Sequence, residues 1–369
     1  MSVAAETEAP AGEDLLFEQR GPLVVVTLNR PKALNALTHE MALALETRLK
    51  RYAGDDSVQA VLVRGAGERA FCAGGDIRRL YDTGRAGERY PYEFYRDEYR
   101  LNALIHHYPK PYIAFIDGIC MGGGVGLSVH GSHRIVSERL VFAMPETGIG
   151  LFPDVGGSYF LSRLPGEIGM YMAMTGARLT PADAVFAGVG DCLIDGAKEE
   201  ALIAALIDAD YAGGAMQAVD TVLAGQAVES GSSDIAALQG QIEASFSGET
   251  LDEILSRLAV AGGEWAENTL ATMRSKSPTS MRIAFRQLRR GRAMTFNDCM
   301  RMEYRIANGC IQGHDFYEGV RAVVIDKDQT PAWRPARLED IGDSDVEAYF
   351  SKPPADGDLE IPYGPVSEA

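Results

Sequence analysis

The run "FAMPETGIGLFPDVGG", residues 142–157, sets Glu146 and Asp154 eight positions apart among apolar residues, glycine, proline and one threonine. An ionised carboxylate is expensive to bring into such surroundings. Burial also moves a carboxyl's pKa towards neutral pH, where the ionised form can serve as a general base or a nucleophile and the neutral form as an acid. Two loop acids facing water are the plain alternative. The choice between them rests on the rest of the chain.

Two glycine-rich turns offer partners for such acids. The first is "AFCAGGDI", residues 70–77, placed where a strand should give way to a helix. Glycine lets the backbone approach a ligand closely, and free N–H groups at a helix start can meet developing negative charge. A tight turn with Asp76 as helix cap is the alternative. The second, "DGICMGGGVGLSVHG", repeats the device and carries three consecutive glycines, Gly122 to Gly124. Glycines are costly inside any element, so close approach of backbone to something else explains them better. Two strand-to-helix turns, each offering a backbone N–H, would make an oxyanion hole.

Other chemistries fail on the same residues. "GGGVGLSVHG" lacks the G-K-[ST] of a P-loop, and Val129 stands where the third glycine of G-x-G-x-x-G would be. Gly126, Ser128 and Gly131 are spaced one residue too widely for a nucleophile elbow. The six histidines form no H-E-x-x-H, so no metal site is expected.

The elements that must hold these turns read clearly. "LVVVTLNRP" is a buried strand ended by Pro31, and "THEMALALETRLKRYAGD" a capped amphipathic helix ended by Gly54. "QAVLVRGAG" is β-rich, "PYEFYRDEYRLNALIHHY" is helical in period, "PYIAFIDG" is a strand, and "HRIVSERLVFAMPE" holds two short strands. Alternation of strand and helix to about residue 195 predicts an α/β core with crossover connections. From residue 197 the composition turns to Ala, Leu, Glu and Gln with helical period. The expected organisation is a flexible tail over 1–12, an α/β core over 13–196 and a helical C-terminal region over 197–369. Within the last, Arg282, Arg286, Arg289, Arg290 and Arg292 concentrate positive charge; a solvated face or subunit contact is expected rather than a ligand site.

With 52 acidic against 35 basic side chains, the net charge of -17 opposes binding to phosphate backbones and anionic lipid. Five scattered cysteines without a C-x-x-C suggest neither a disulfide framework nor a zinc ribbon. No basic start followed by an apolar run is present, and no stretch of about 18 apolar residues could span a bilayer. A cytoplasmic protein without nucleic-acid or membrane partners is the expectation.

Two backbone donor turns followed by a carboxylate pair in an apolar segment resemble the crotonase (enoyl-CoA hydratase/isomerase) superfamily, over roughly residues 15–195. A closer resemblance, to the 3-hydroxyisobutyryl-CoA hydrolases within it, extends to about Trp333 through "SPTSMRIAFRQLRRG", "CMRMEYRIANG" and "GHDFYEGVRAVVIDKDQTPAW". The resemblance implies a crotonase-like α/β spiral of β-β-α turns with a helical C-terminal region. It also implies an acyl-CoA substrate whose thioester oxygen lies between the backbone amides of Gly75 and Gly123. Glu146 and Asp154 then flank the thioester carbon, and Glu98, in its "DEY" context, reaches the substrate. "RPKALNAL" resembles the segment that cradles the nucleotide end of CoA, making Lys32 a candidate phosphate contact; a solvated lysine after a strand-ending proline is the alternative.

Hydratases of this superfamily carry a catalytic glutamate two residues after the glycine triplet, where this chain has Gly126. The resemblance therefore implies hydrolysis of a short 3-hydroxyacyl-CoA, 3-hydroxyisobutyryl-CoA of valine breakdown being the leading substrate. No cofactor is expected, since CoA belongs to the substrate. Glu146 either attacks the carbonyl carbon, giving a mixed anhydride, or deprotonates the attacking water, and both routes are open at this point. A hydratase or isomerase on another acyl-CoA is the enzymatic alternative, because one fold hosts many reactions. A non-catalytic RNA-binding relative is the remote one, and the acidic balance opposes it. Relatives of this kind often assemble as trimers or pairs of trimers, so a homo-oligomer is possible.

Overall fold

A computed structural model describes residues 14–364; the tail expected over 1–12 lies outside the described residues. In chain order the strands are β1 (Leu15–Arg20), β2 (Leu23–Leu28), β3 (Ala60–Gly65), β4 (Ala70–Cys72), β5 (Tyr112–Ile116), β6 (Ile119–Met121), β7 (His133–Val136), β8 (Val141–Ala143) and β9 (Cys192–Leu193). The helices that position the site are α1 (His39–Ala53), α2 (Ile77–Arg85), α3 (Tyr90–His106) and α4 (Gly123–Gly126).

Six strands form one sheet in the order β1-β2-β3-β5-β7-β9, and three form a second in the order β4-β6-β8. β1 and β2 pair antiparallel around Gly21, whose φ of +59° the tight turn requires; the other pairings are parallel. The chain lays β3 in the large sheet, β4 in the small one, and returns through α2 and α3. β5, β6 and α4 repeat the pattern, and β7 and β8 begin it again. This is the expected spiral of β-β-α turns.

The sheet is buried on both faces, which explains near-continuous apolar runs such as Leu23–Val26. Alternate residues still face different partners. Leu23, Val25, Leu62, Ile113 and Phe115 pack against Leu202, Leu206, Val219 and Leu223 of the helices Glu199–Ile207 and Ala215–Gln226. Val24, Val26, Val61, Val63 and Ala114 join the main core, which continues into Met281, Phe296, Phe316 and Phe350. The composition shift near residue 197 is thus crossed by a continuous core.

Four of the five clustered arginines lie on the helix Pro278–Gly291, and Arg292 is its C-cap. Arg282 pairs with Asp252, Arg286 with Asp343, Arg289 with Glu167 and Arg290 with Glu347. These four side chains bind neighbouring segments of the same chain while staying partly exposed, as a solvated face allows. Such partly exposed pairs contribute about 0–1 kcal/mol each, so they orient helices more than they stabilise them.

Candidate active site

The parallel ends of β4 and β6 bring the two glycine turns together. Gly74 (φ +120°) and Gly122 (φ +49°) adopt backbone that only glycine takes readily. A Cβ on Gly123 would stand 3.2 Å from the Gly75 nitrogen and 2.6 Å from Glu98 Oε1. The described hydrogen bonds leave the Gly75 and Gly123 amides without an acceptor. Asp76 does cap α2, accepting from Arg79 N at 3.3 Å, so the first turn is both a capped helix start and a source of a free N–H.

Three acids surround these amides. Glu98 projects from α3, where Pro91 opens the helix and Phe94, Tyr95, Tyr99 and Asn102 share the buried side. Glu146 opens a 3-10 turn, Glu146–Ile149, closed by Gly150 at φ +71°. One Glu146 oxygen, Oε1, lies 3.5 Å from where a Cβ on Gly122 would be. Asp154 follows in the next loop, and all three carboxyls are buried. Glu98 Oε1 and Glu146 Oε2 have no partner among the described residues, so each is available to a ligand.

Burial pushes Glu146 well above the ordinary carboxyl range, and the charge of Asp154 adds to the effect; Lys276 opposes it. Burial and Asp154 likewise raise Glu98. Asp154 is pushed up to about 7 by burial, while the hydrogen bond from Tyr99 pulls the other way. Glu146 and Asp154 are therefore both desolvated, with the charge of Asp154 felt at Glu146 and Glu146 lying beside the glycine turn at Gly122.

The C-terminal helices hold both acids in place. A Cβ on Gly150 would collide with Asp315 O at the start of the helix His314–Val320, so only glycine lets that helix dock on the Glu146 turn. The Asp154 loop is fastened at four points. Gln287 Nε2 donates to Pro153 O at 2.6 Å, and the His130 ring nitrogen Nε2 bonds Val155 O at 2.7 Å. Glu303 accepts from Gly156 N at 2.7 Å and from Ser158 N at 2.8 Å. These bonds stabilise a loop in which Val155, a β-branched residue, holds φ +50°.

Gly75, Gly123, Glu98, Glu146 and Asp154 are thus gathered at one place. Lys32 is exposed on the 3-10 turn Pro31–Ala33, and the segment after it bonds the donor loop through Leu37 N to Gly74 O at 2.8 Å. Among the described residues no group of three or more His, Cys, Asp or Glu gathers as a metal site.

A model of the enoyl-CoA hydratase/isomerase family matches residues 23–350. The chain belongs to that family. Among curated members, the mitochondrial 3-hydroxyisobutyryl-CoA hydrolase of Danio rerio is 45% identical over 346 residues, covering 92% of this chain and 90% of the relative. The Homo sapiens counterpart is 42% identical over 349 residues, covering 92% and 89%. A solved structure described as a carnitinyl-CoA dehydratase from Mycobacterium thermoresistibile superposes with a TM-score of 0.88 at 39% identity, covering 95% of this chain and 99% of that one. One described as an enoyl-CoA hydratase from Rhodobacter sphaeroides 2.4.1 gives 0.86 at 37% identity, covering 94% and 100%. The enoyl-CoA hydratase/isomerase fold is therefore shared along nearly the whole chain.

Within this family Gly126 is informative. A Cβ there would stand 2.7 Å from Asn102 Nδ2 and 2.8 Å from Val155 Cβ. The space a glutamate would need is already filled by α3 and by the Asp154 loop. Reasoning from sequence alone missed Tyr99, Asn102, Gln287 and Glu303. Glu303 carried a visible signal, an acid between apolar residues, Met300, Met302, Ile306 and Ala307, at helical spacing.

Among the described residues, no helix is long and apolar enough to cross a membrane.

Proposed function

We propose that this chain hydrolyses a short 3-hydroxyacyl-CoA thioester, converting 3-hydroxyisobutyryl-CoA to 3-hydroxyisobutyrate and CoA, a step of valine breakdown. The observation that carries the reading is that Glu146 and Asp154 are both buried beside the glycine turns, while Gly126 leaves no room for a second glutamate. The curated relatives at 42–45% identity support the same substrate.

The Gly75 and Gly123 amides receive the thioester oxygen. Their stabilisation grows as negative charge develops on it, which lowers the barrier more than it tightens substrate binding. Glu146, unpartnered at Oε2, acts on the carbonyl carbon. Asp154 orients the reacting groups and Glu98, favoured as the neutral acid by burial, adds no repulsion beside the oxyanion. Lys32 contacts a CoA phosphate. The reaction needs the thioester and water alone.

Hydration of an enoyl-CoA is the second reading, favoured by the descriptions of the two solved structures. Saturated 3-hydroxyacyl-CoA thioesters of different chain length, assayed with a thiol reagent, separate the two. The hydrolase frees CoA, whereas a hydratase interconverts hydroxyacyl and enoyl thioesters and frees none.

A further inference from the structure

Asn102 is completely buried on α3, yet neither its amide nitrogen nor its carbonyl oxygen has a partner among the described residues. Buried polar groups are nearly always paired, so an exception calls for something that completes it. Glu98, whose Oε1 is also unpartnered, lies one helical turn earlier, which puts both side chains on the same side of α3. That side packs on α4. Glu98 meets it at Gly123, beside the donor amides, and Asn102 meets it at Gly126. The remaining wall at Gly126 is Val155, the residue after Asp154. Asn102 therefore shares the Gly126 position with the Asp154 loop, one helical turn from Glu98, and nothing in the hydrolytic steps above uses it.

We propose that Asn102 is a specificity-determining residue whose side-chain amide hydrogen-bonds a hydroxyl carried on the acyl group. An amide suits that partner: its N–H donates to the hydroxyl oxygen and its carbonyl accepts the hydroxyl proton, with no added charge beside three acids. A substrate lacking the hydroxyl leaves the amide unpaired, and sites built this way discriminate strongly against the deoxy analogue. The inference rests on the thioester-hydrolase reading.

The test compares kcat/KM for 3-hydroxyisobutyryl-CoA and isobutyryl-CoA in the wild type and in Asn102→Leu, a change that removes the amide at nearly constant volume. The wild type is expected to favour the hydroxylated thioester by about 10² or more, and the variant to lose at least about tenfold of that ratio. Folding is checked by circular dichroism, and Asn102→Ala serves as a second variant. An undiminished ratio, or equal losses on both substrates, overturns the proposal and leaves Asn102 a structural or water-binding residue. A wild type without preference overturns it whatever the variants do. Release of CoA from neither thioester by the wild type overturns the hydrolase reading and this inference with it.

Discussion

Tyr99 Oη donates a 2.8 Å hydrogen bond to Asp154 Oδ2, joining two buried groups from α3 and from the loop after the Glu146 turn. The bond favours the ionised form of Asp154 and so opposes the upward push of burial. Tyr99→Phe should raise the pKa of Asp154 and move the acid limb of kcat/KM to higher pH, with turnover lower by roughly tenfold. Asp154→Asn should do the opposite to the limb. Its charge raises Glu146, so removing it lets Glu146 ionise at lower pH while turnover falls. Matching pH–rate profiles check both signs, and limbs that move together would contradict the assignment.

Gly126→Ala should destabilise the protein by about 1–3 kcal/mol, because the added methyl meets Asn102 and Val155 at less than van der Waals separation. The urea midpoint measures this. Gly126→Glu should neither fold normally nor hydrate an enoyl-CoA, and gain of hydratase activity would show that the site opens more readily than the packing implies.

Glu303 is raised to about 8, chiefly by burial. Between the ordinary carboxyl range and that value the folded protein binds a proton that the unfolded chain has lost. This contribution to stability is complete below about pH 4 and disappears as pH rises through about 8. Glu303→Gln removes the titration, so the variant should lose less stability than the wild type between pH 6 and pH 9 in urea unfolding. Glutamine also replaces one acceptor oxygen by a donor, loosening Gly156 or Ser158, and turnover should fall with Asp154 misplaced.

Much of this was readable in the residues. The β-branched runs of β2, β3 and β5, the Thr38-capped α1 and the long α3 follow from local pattern, and the two glycine turns and the acids Glu146 and Asp154 stand out against their neighbours. The small sheet was harder, because strands of three residues such as β6 are too short to show a period. The supports of the Asp154 loop were invisible for a different reason. Gln287 and Glu303 lie 134 and 147 positions from the backbone groups they bond, and only folding brings them there. The acidic partners of the arginine cluster are likewise distant in sequence, Asp343 and Glu347 each lying 57 positions from the arginines they bond.

For the proposed hydrolysis, the buried, unpartnered Oε2 of Glu146 favours direct attack, since a carboxylate beside a thioester carbon would need no ordered water for the first step. In single turnover in ¹⁸O-water with enzyme in excess, hydrolysis of a mixed anhydride at the Glu146 carbonyl leaves ¹⁸O on Glu146. Opening at the acyl carbonyl labels the product instead, so hydroxylamine trapping accompanies the labelling. An unlabelled Glu146 with no hydroxamate would make it the general base.

The most direct test of the whole account is CoA release from 3-hydroxyisobutyryl-CoA by the wild type and Glu146→Gln, purified side by side and matched for acyl-CoA binding. The wild type should free CoA, and the variant should be slower by about 10² or more with binding retained, since a positioned base or nucleophile contributes at least that much. A variant that keeps more than about a tenth of the wild-type turnover would contradict the assignment of Glu146.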